Sequence, residues 1–432
     1  MTASYDACLK EMYALRRFGI KLGLSKTRSI LKNLGDPQGR FSAIHVAGTN
    51  GKGSIASCLA SILRAAGFRA GLYTSPHLVR FNERMVINGR QISDPDVVRA
   101  YEAVRQAARG GDREPTFFEF ATAMALFYFG EKDVDWAVIE TGMGGRLDAT
   151  NVIEPELSII SNISLEHREY LGNSIAEIAG EKGGIIKPSV PVLTGAGQKS
   201  ALAVLKSVAE KKSAPLFKMG TDFRVRKQPD GTFSYYGMDS RLRGLSTPLP
   251  GSHQVENAAL ALAGCEMLNR RGLGLSGEAI RRGVAENRWP GRLEVVLKKP
   301  LVILDGAHNL MAARKLGKFM AGNLDPEKTV LIIGVLDDKP YASILKSLLP
   351  RCARAVITQA KTGRAIDPEI LLKEAKKNLP NVSVIPDVKE AVIRTVKEAG
   401  ADQAICVAGS LYVVGEARPA LTDLAGSLPP SV

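Results

Sequence analysis

Apolar residues gather along the chain in short runs that end in glycine or a polar cluster, and between these runs they recur every three or four positions. The runs FSAIHVAG (41–48) and DWAVIETG (135–142) are rich in β-favouring residues and lack the polar alternation of a half-solvated strand. They predict strands buried on both faces. LYTSPHL (72–78) and SNISLEHREYLG (161–172) each begin at the end of a further predicted strand. Helical spacing covers 53–66, 94–109 with Asp94-Pro95 at its start, 116–129 and 174–186. Strands alternating with helices imply a mostly parallel sheet covered on both faces, so the expected class is α/β.

The pattern changes over 217–236, where residues alternate around QPDGTF and predict a hairpin turning at Pro229-Asp230-Gly231. SHQVENAALALAGCEMLNRRG then predicts one long helix, begun by Ser252 and stopped by Gly272. From about Leu293 a second series follows: LVILDGAHN, KTVLIIGVLDD, RAVITQA, VSVIPD and QAICVAGSLYVVGEA, each leading into a helical stretch. Pro290-Gly291 in ENRWPGRLE interrupts the helical pattern. The expectation is a P-loop-type, mostly parallel ATPase domain over 1–290, followed by a smaller Rossmann-like α/β domain over 291–432.

At 432 residues the chain exceeds one ordinary hydrophobic core, in keeping with two domains. Its 45% apolar and 24% charged residues exclude a disordered or fibrous class. No apolar run is long enough to span a bilayer, and MTASYDACLKEMYALRRFG has charges where a signal peptide needs an apolar stretch, so the expected location is cytoplasmic, without a membrane partner. The five cysteines (Cys8, Cys58, Cys265, Cys352, Cys406) are scattered and read as small core residues rather than disulfides or zinc ligands. A net charge of +14 favours anionic partners such as nucleotides, polycarboxylates or nucleic acid. Because the basic residues are spread out, a surface kept basic for solubility explains the charge equally well. No RNA-binding aromatic signature or zinc-finger pattern is present, and no nucleic-acid partner is expected.

The candidate chemistry begins at HVAGTNGKGS (45–54). Gly48, Gly51 and Gly53 lie between a predicted strand and a predicted helix, where backbone N–H groups and a helix N-terminus can surround a phosphate. The spacing is not that of the familiar phosphate loop: two residues separate Gly48 from Gly51, and Gly53 stands between Lys52 and Ser54. Lys52 can offer its ammonium to phosphates, and Thr49 and Ser54 their hydroxyls to phosphate or metal. The bland alternative is a glycine turn capped by Ser54. Glu140, at the end of an apolar strand beside Gly142, Gly144 and Gly145, sits where a Mg²⁺ ligand is expected; as a structural residue it would instead cap a helix or pair with Arg146. Ser75, His77, Glu166 and His167 follow other predicted strands, and His167 is read as a ligand facing the same sheet end. Asp305, in ILDGAHN, could accept from ribose hydroxyls, and Arg292 could bind a γ-phosphate unless it is merely a surface residue.

Together these segments resemble the folylpolyglutamate synthase and dihydrofolate synthase family, within the wider group of Mur-type ATP-dependent amide ligases. The resemblance covers nearly the whole chain and rests on GTNGKGS, SPHL, GGRLDATN, GEKGG, HQVEN, RWPGRLE and DGAHN. It implies an ATP-dependent ligase that adds L-glutamate to tetrahydrofolate, and to dihydropteroate, through an acyl phosphate. By the same resemblance Gly51, Lys52, Gly53, Ser54, Asn257, Arg292 and Asp305 bind ATP. Ser75 and Glu140 hold one Mg²⁺, and His167 helps hold a second. Lys182 matches the lysine that the family carboxylates, His308 lies near the incoming glutamate, and Phe117, Phe118, Glu119, Phe120, Leu147, Asp148 and Ala149 line the pterin site. A monomer acting on these small molecules is the expected state. The family commonly has Asp where Glu166 stands and an acidic residue where Lys21 stands. The alternatives are a related ligase for another acid, which would be expected to carry a UDP-binding domain ahead of the loop, and a nucleotide-dependent ATPase associated with nucleic acid. The latter gives no reason for GGRLDATN or DGAHN.

Overall fold

A computed structural model describes residues 4–19, 21–110 and 113–427. The chain forms two compact units, one of Met1–Pro248 with Ser252–Arg288 and the other of Leu249–Gly251 with Trp289–Val432.

The first unit is built on eight strands: β1 (Ser42–Ala47), β2 (Ala70–Tyr73), β3 (Met85–Ile87), β4 (Arg90–Gln91), β5 (Trp136–Glu140), β6 (Leu157–Ile160), β7 (Val192–Thr194) and β8 (Leu216–Lys218). Their order is β4-β3-β2-β5-β1-β6-β7-β8, parallel except for the edge pairs β2–β3 and β3–β4. β1, β5 and β6 are buried along nearly their whole length, His45 and Ser158 included, since helices cover both faces of the sheet. On one face lies helix Phe117–Glu131, capped by a reciprocal Thr116–Glu119 box. It is apolar almost all round because it is sandwiched: Phe120 and Phe129 join Met12, Ile30 and Tyr101 in one core cluster. Truncating the fully buried Phe129 to Ala would cost about 3–5 kcal/mol.

Helix Ile175–Gly183 begins at Ser174, as the sequence predicts, but ends three residues before the expected Ile186. A Cβ on Gly184 would lie 2.4 Å from Arg146 Cα, and one on Gly145 would lie 2.9 Å from Lys182 O. The two glycines let the segments pass backbone to backbone, which sets Lys182 beside the 142–148 loop. The hairpin also differs in extent. Only β9 (Arg224–Lys227) and β10 (Phe233–Tyr236) form it, because Leu216–Lys218 instead extends the parallel sheet, and a third antiparallel strand, β11 (Arg241–Leu245), completes the sheet. The arginines and glycine of RLRGL hide the alternation that would have announced β11. Helix Ser252–Arg270 packs beneath this sheet and stops before Gly272, at φ +90°.

The second unit carries β12 (Glu294–Lys298), β13 (Leu301–Leu304), β14 (Thr329–Ile333), β15 (Arg354–Gln359), β16 (Val382–Asp387) and β17 (Ala404–Ala408) in the order β12-β13-β17-β14-β15-β16. All pairs are parallel except β12–β13. Its core runs from Leu293 and Ile303 through Leu331, Ile344 and Leu348 to Cys406. All five cysteines are buried free thiols. Among the described residues no helix is long and apolar enough to cross a membrane.

Candidate active site

The sheet of the first unit reverses its winding at β1, which has β5 and then β2 on one side and β6 and then β7 on the other. The carboxyl ends of these parallel strands open on one edge, the position where α/β sheets hold ligands.

The loop after β1 runs from Gly48 to the start of helix Lys52–Ala65, which no side chain caps, so its first N–H groups point into the loop. Gly51 has φ +89°, and a Cβ there would lie 2.4 Å from Asn257 Oδ1. Glycine is required on both counts, and its absence of side chain seats Asn257 against the loop. Gln254 Oε1 fixes that amide, accepting from Asn257 Nδ2 at 2.9 Å. The segment after β6 braces the loop from the other side. Asn162 O accepts from Thr49 N at 2.8 Å, Asn162 Oδ1 from Asn50 N at 3.1 Å, and Asn50 O receives both Ser161 Oγ (2.7 Å) and Asn162 Nδ2 (2.8 Å). Ser164 N donates to Thr49 Oγ1 at 3.0 Å. Ser54 is buried in the first helical turn beside Gly53.

Two ammonium groups converge on this loop. Lys52 Nζ folds back onto Gly48 O (3.1 Å) and Thr49 O (3.2 Å). Lys182 Nζ, fully buried, donates to Gly48 O at 2.8 Å and to Glu166 Oε1 at 2.7 Å. Burial opposes ionisation of Glu166, but Lys182 and then Lys52 outweigh it and hold the carboxyl down to about 2. Burial lowers the Lys182 pKa, Lys52 adds to the lowering, and Glu166 opposes it.

At the end of β5, Glu140 is buried and its Oε2 accepts from Ser75 N at 3.0 Å, joining the ends of β2 and β5. His167 is exposed and left-handed (φ 46°) at the start of the short helix Arg168–Leu171. Among the described residues no three or more His, Cys, Asp or Glu side chains converge to enclose a metal ion. The oxygen donors of Ser75 and Glu140 suit a cation that keeps part of its water shell, as Mg²⁺ does.

The aromatic pair on helix Phe117–Glu131 splits its contacts. Phe117 stacks near Tyr13 (5.6 Å between centroids) and Phe81 (6.3 Å), with Arg16 and Arg84 over its ring at 5.0 and 5.2 Å. Phe118 lies over Gly142, where a Cβ would meet its Cζ at 2.4 Å. Glu119 and Phe120 are turned to structure: Glu119 binds both terminal nitrogens of Arg113 (2.6 and 2.8 Å), and Phe120 packs on Tyr101. Asp148 is buried and serves its own loop, accepting from Met143 N (2.8 Å), Thr150 N (3.0 Å) and Thr150 Oγ1 (2.5 Å); burial raises its pKa, against these bonds. Leu147 is half-buried, its carbonyl accepting from Gly23 N at 3.4 Å, and Ala149 is buried behind it. Lys21 is exposed, 5.8 Å from the Phe18 ring.

In the second unit Asp305 ends β13, with Oδ2 accepting from Leu293 N and Oδ1 from Ala307 N, both at 2.9 Å. Burial raises its pKa and Arg292 opposes the shift. A Cβ on Gly306 would lie 2.2 Å from Arg292 Nη1, so the guanidinium rests on the strand end. His308 Nδ1 lies 2.8 Å from Gly306 O, which brings Arg292, Asp305 and His308 together.

Ser161, Asn162, Ser164, Arg84 and His45 also contribute, although the sequence pattern does not single them out. Ser161, Asn162 and Ser164 carry a signal in SNIS, a polar run directly after a buried strand. Arg84 donates to His77 Nδ1 at 2.8 Å; burial first, then Arg84 and Arg16, lower His77 to about 3. His45 is fully buried, bonded through Nε2 to Thr150 Oγ1 at 2.9 Å and lowered to about 3 by burial and then by Lys187.

A model of the Mur ligase middle domain matches residues 46–265, and one of the Mur ligase glutamate ligase domain matches residues 291–411. The chain is 36% identical to the dihydrofolate synthase/folylpolyglutamate synthase of Bacillus subtilis, over 98% of this chain and 100% of that one. Among solved structures it resembles Escherichia coli FolC in complex with DHPP and ADP (30% identity, TM-score 0.89, 99% of this chain and 100% of that one). It also resembles a bifunctional folylpolyglutamate synthase/dihydrofolate synthase from Yersinia pestis complexed with AMPPNP and a Mn ion (32% identity, TM-score 0.87, 97% of this chain and 98% of that one).

Proposed function

The chain belongs to the dihydrofolate synthase/folylpolyglutamate synthase family of Mur ligases, and from that premise we propose that it joins L-glutamate to folates in an ATP-dependent amide ligation. The acids in this reading are tetrahydrofolate, extended to polyglutamates, and dihydropteroate, converted to dihydrofolate. The observation that carries it is the braced glycine loop at the sheet switch point, with Lys52 and Lys182 both held at Gly48 O.

A carboxylate is a poor acyl donor, so the γ-phosphoryl group of ATP is first transferred to it. The α-amine of glutamate then attacks the acyl phosphate, giving the amide, ADP and phosphate. Gly51, Gly53 and Ser54 offer N–H groups at an uncapped helix N-terminus to the phosphates. Lys52, whose loop carbonyl partners a nucleotide can replace, moves its ammonium to the transferring group. Asn257 meets the nucleotide from the side, and Arg292 and Asp305 serve the γ-phosphate and the ribose. His308 stands for the incoming glutamate. Phe117 and Phe118, with the half-buried Leu147 of the 147–149 segment, line the pterin side of the site. Ser75 and Glu140 hold Mg²⁺, which neutralises charge on the phosphates.

A second cation beside His167 and carboxylation of Lys182 complete the reading. Carboxylation joins the neutral amine to CO₂ with loss of a proton, and the lowered Lys182 pKa favours the amine it needs. The new anion, beside Glu166, would help support the metal cations, and His167 would help hold the second of them. The enzyme acts as a cytoplasmic monomer.

The test is ADP release with Mg-ATP and L-glutamate in the presence of dihydropteroate, tetrahydrofolate or neither, with mass spectrometry of the products. Pterin-dependent ADP and a product heavier by one glutamyl unit are expected. No pterin-dependent ADP and no added glutamyl unit would sink the folate assignment.

A further inference from the structure

The outward face of the three-stranded sheet carries four arginines. Tyr236 lies opposite both Arg224 and Arg241, Ser234 lies opposite Arg226, and Arg243 follows two positions after Arg241 at the bulge in the β10–β11 pairing. Strand alternation puts Arg224, Arg226, Arg241, Tyr236 and the buried Ser234 on one face and the buried Phe233 and Tyr235 on the other, with Arg243 exposed at the bulge. All four arginines are exposed, and the Arg224 guanidinium lies 5.2 Å from the Tyr236 ring centroid. Among the described residues no carboxylate pairs with any of the four, although nearby Arg270 and Arg271 are paired with Asp239 and Glu156. The arginines stand opposite Tyr236 and Ser234 rather than opposite one another, and they concentrate like charge on the exposed side of β9 and β11.

Helix Ser252–Arg270 joins the sheet to the nucleotide loop through the buried face, the one opposite the arginines. Asn257 touches Gly51 at one end, and further along Glu266 accepts from Tyr235 Oη (2.7 Å) and from the N–H groups of the β10–β11 turn, including Ser240 at 2.9 Å. The two contacts are about 14 Å apart along the helix axis. A γ-linked glutamyl unit has five backbone bonds where an α-linked residue has three, and so extends about 6 Å. Arginines two positions apart on a strand repeat at about 6.8 Å. One carboxylate per glutamyl unit therefore keeps step with the arginine rows.

We propose that this face is a subsite for the oligo-γ-glutamyl tail of the folate substrate, with the guanidinium forks taking the α-carboxylates of units already added. The proposal rests on the folate reading above. During chain extension the reacting carboxylate must stay at the nucleotide, so the units behind it have to be led away, and a cationic track does this at little geometric cost. A footprint of four cations suits a short polycarboxylate. Nucleic-acid binding commonly neutralises about 6–10 phosphates and uses several aromatic platforms, whereas Tyr236 is the aromatic residue among these paired outward positions.

The experiment compares wild type with the combined Arg224→Ser, Arg226→Ser, Arg241→Ser and Arg243→Ser variant, and with Arg241→Ser alone should the combined variant not fold. Steady-state kinetics use mono-, tri- and penta-γ-glutamyl tetrahydrofolate, and fluorescence anisotropy follows a labelled penta-γ-glutamate without pterin. In wild type KM should fall about tenfold from mono- to pentaglutamate, and the combined variant should lose that fall while keeping its kcat and its monoglutamate KM. An unchanged length dependence overturns the proposal, as does displacement of the labelled peptide by a single-stranded oligonucleotide more readily than by unlabelled peptide. Arginine-dependent peptide binding without ligase turnover supports the subsite while removing the folate ligase reading, so the two fail separately.

Discussion

Lys182 and Glu166 form an ion pair of 2.7 Å in which the lysine side chain is 1% and the glutamate 12% exposed. Removing one partner of such a pair strands a charge, at a cost of about 3–5 kcal/mol, whereas removing both does not. Glu166→Gln should therefore lower unfolding stability by about that amount, and adding Lys182→Met should recover most of it. Urea denaturation of the single and double variants decides the matter; simple additivity would mean that the pair is not coupled.

A second prediction concerns acid. His45 is held neutral with its pKa lowered to about 3 from an ordinary 6.5, so between these values the unfolded chain binds a proton that the folded chain excludes. The sign follows: this contribution is fully present above about 6.5 and is lost as pH falls toward about 3, on the order of 5 kcal/mol across the window. His45→Gln has no such proton to exclude and should show a shallower loss of stability from neutral pH downward. Identical pH slopes in the two proteins would contradict the assignment.

The glycines separate loop geometry from helix propensity. Gly51→Ala meets both a φ of +89° and the Asn257 amide 2.4 Å away, so ADP should bind at least about tenfold more weakly. Gly322→Ala, in helix Leu310–Asn323 with open space around it, should instead stabilise the protein by about 0.5–1 kcal/mol and leave ADP binding unchanged. Calorimetry of ADP binding together with thermal melts reads both.

Glu140→Gln keeps an oxygen for the Ser75 N–H but removes the charge that favours a divalent cation. The Mg²⁺ concentration giving half-maximal ADP release should rise about tenfold or more, with little change in melting temperature in the absence of metal. An unaltered Mg²⁺ requirement would place the metal elsewhere.

The sheets were legible because their strands are buried on both faces, so the runs ending at Gly48 and Gly142 announce themselves through composition. Helix starts were legible where a cap is local, as at Thr116 and Ser174. β11 was not, because its exposed arginines leave a single face of apolar positions broken by Gly244. At the site the sequence marks residue types but not their partners. Lys182 could be named, yet its bond to Gly48 spans 134 positions, and the Thr150 hydroxyl that engages His45 lies 105 positions away. Asp148 carries the opposite lesson. Its carboxylate is occupied by N–H and O–H groups of its own loop, a local use that a motif does not distinguish from ligand binding.

The bonds from Ser161, Asn162 and Ser164 to the loop after β1 also bear on how quickly a nucleotide can be captured. With Thr49 and Asn50 already anchored, the loss of backbone freedom belongs to folding rather than to ligand arrival. Association at this loop should then depend on encounter and on the swing of Lys52, and the Thr49 and Asn50 amides should exchange slowly with solvent even before ATP is added.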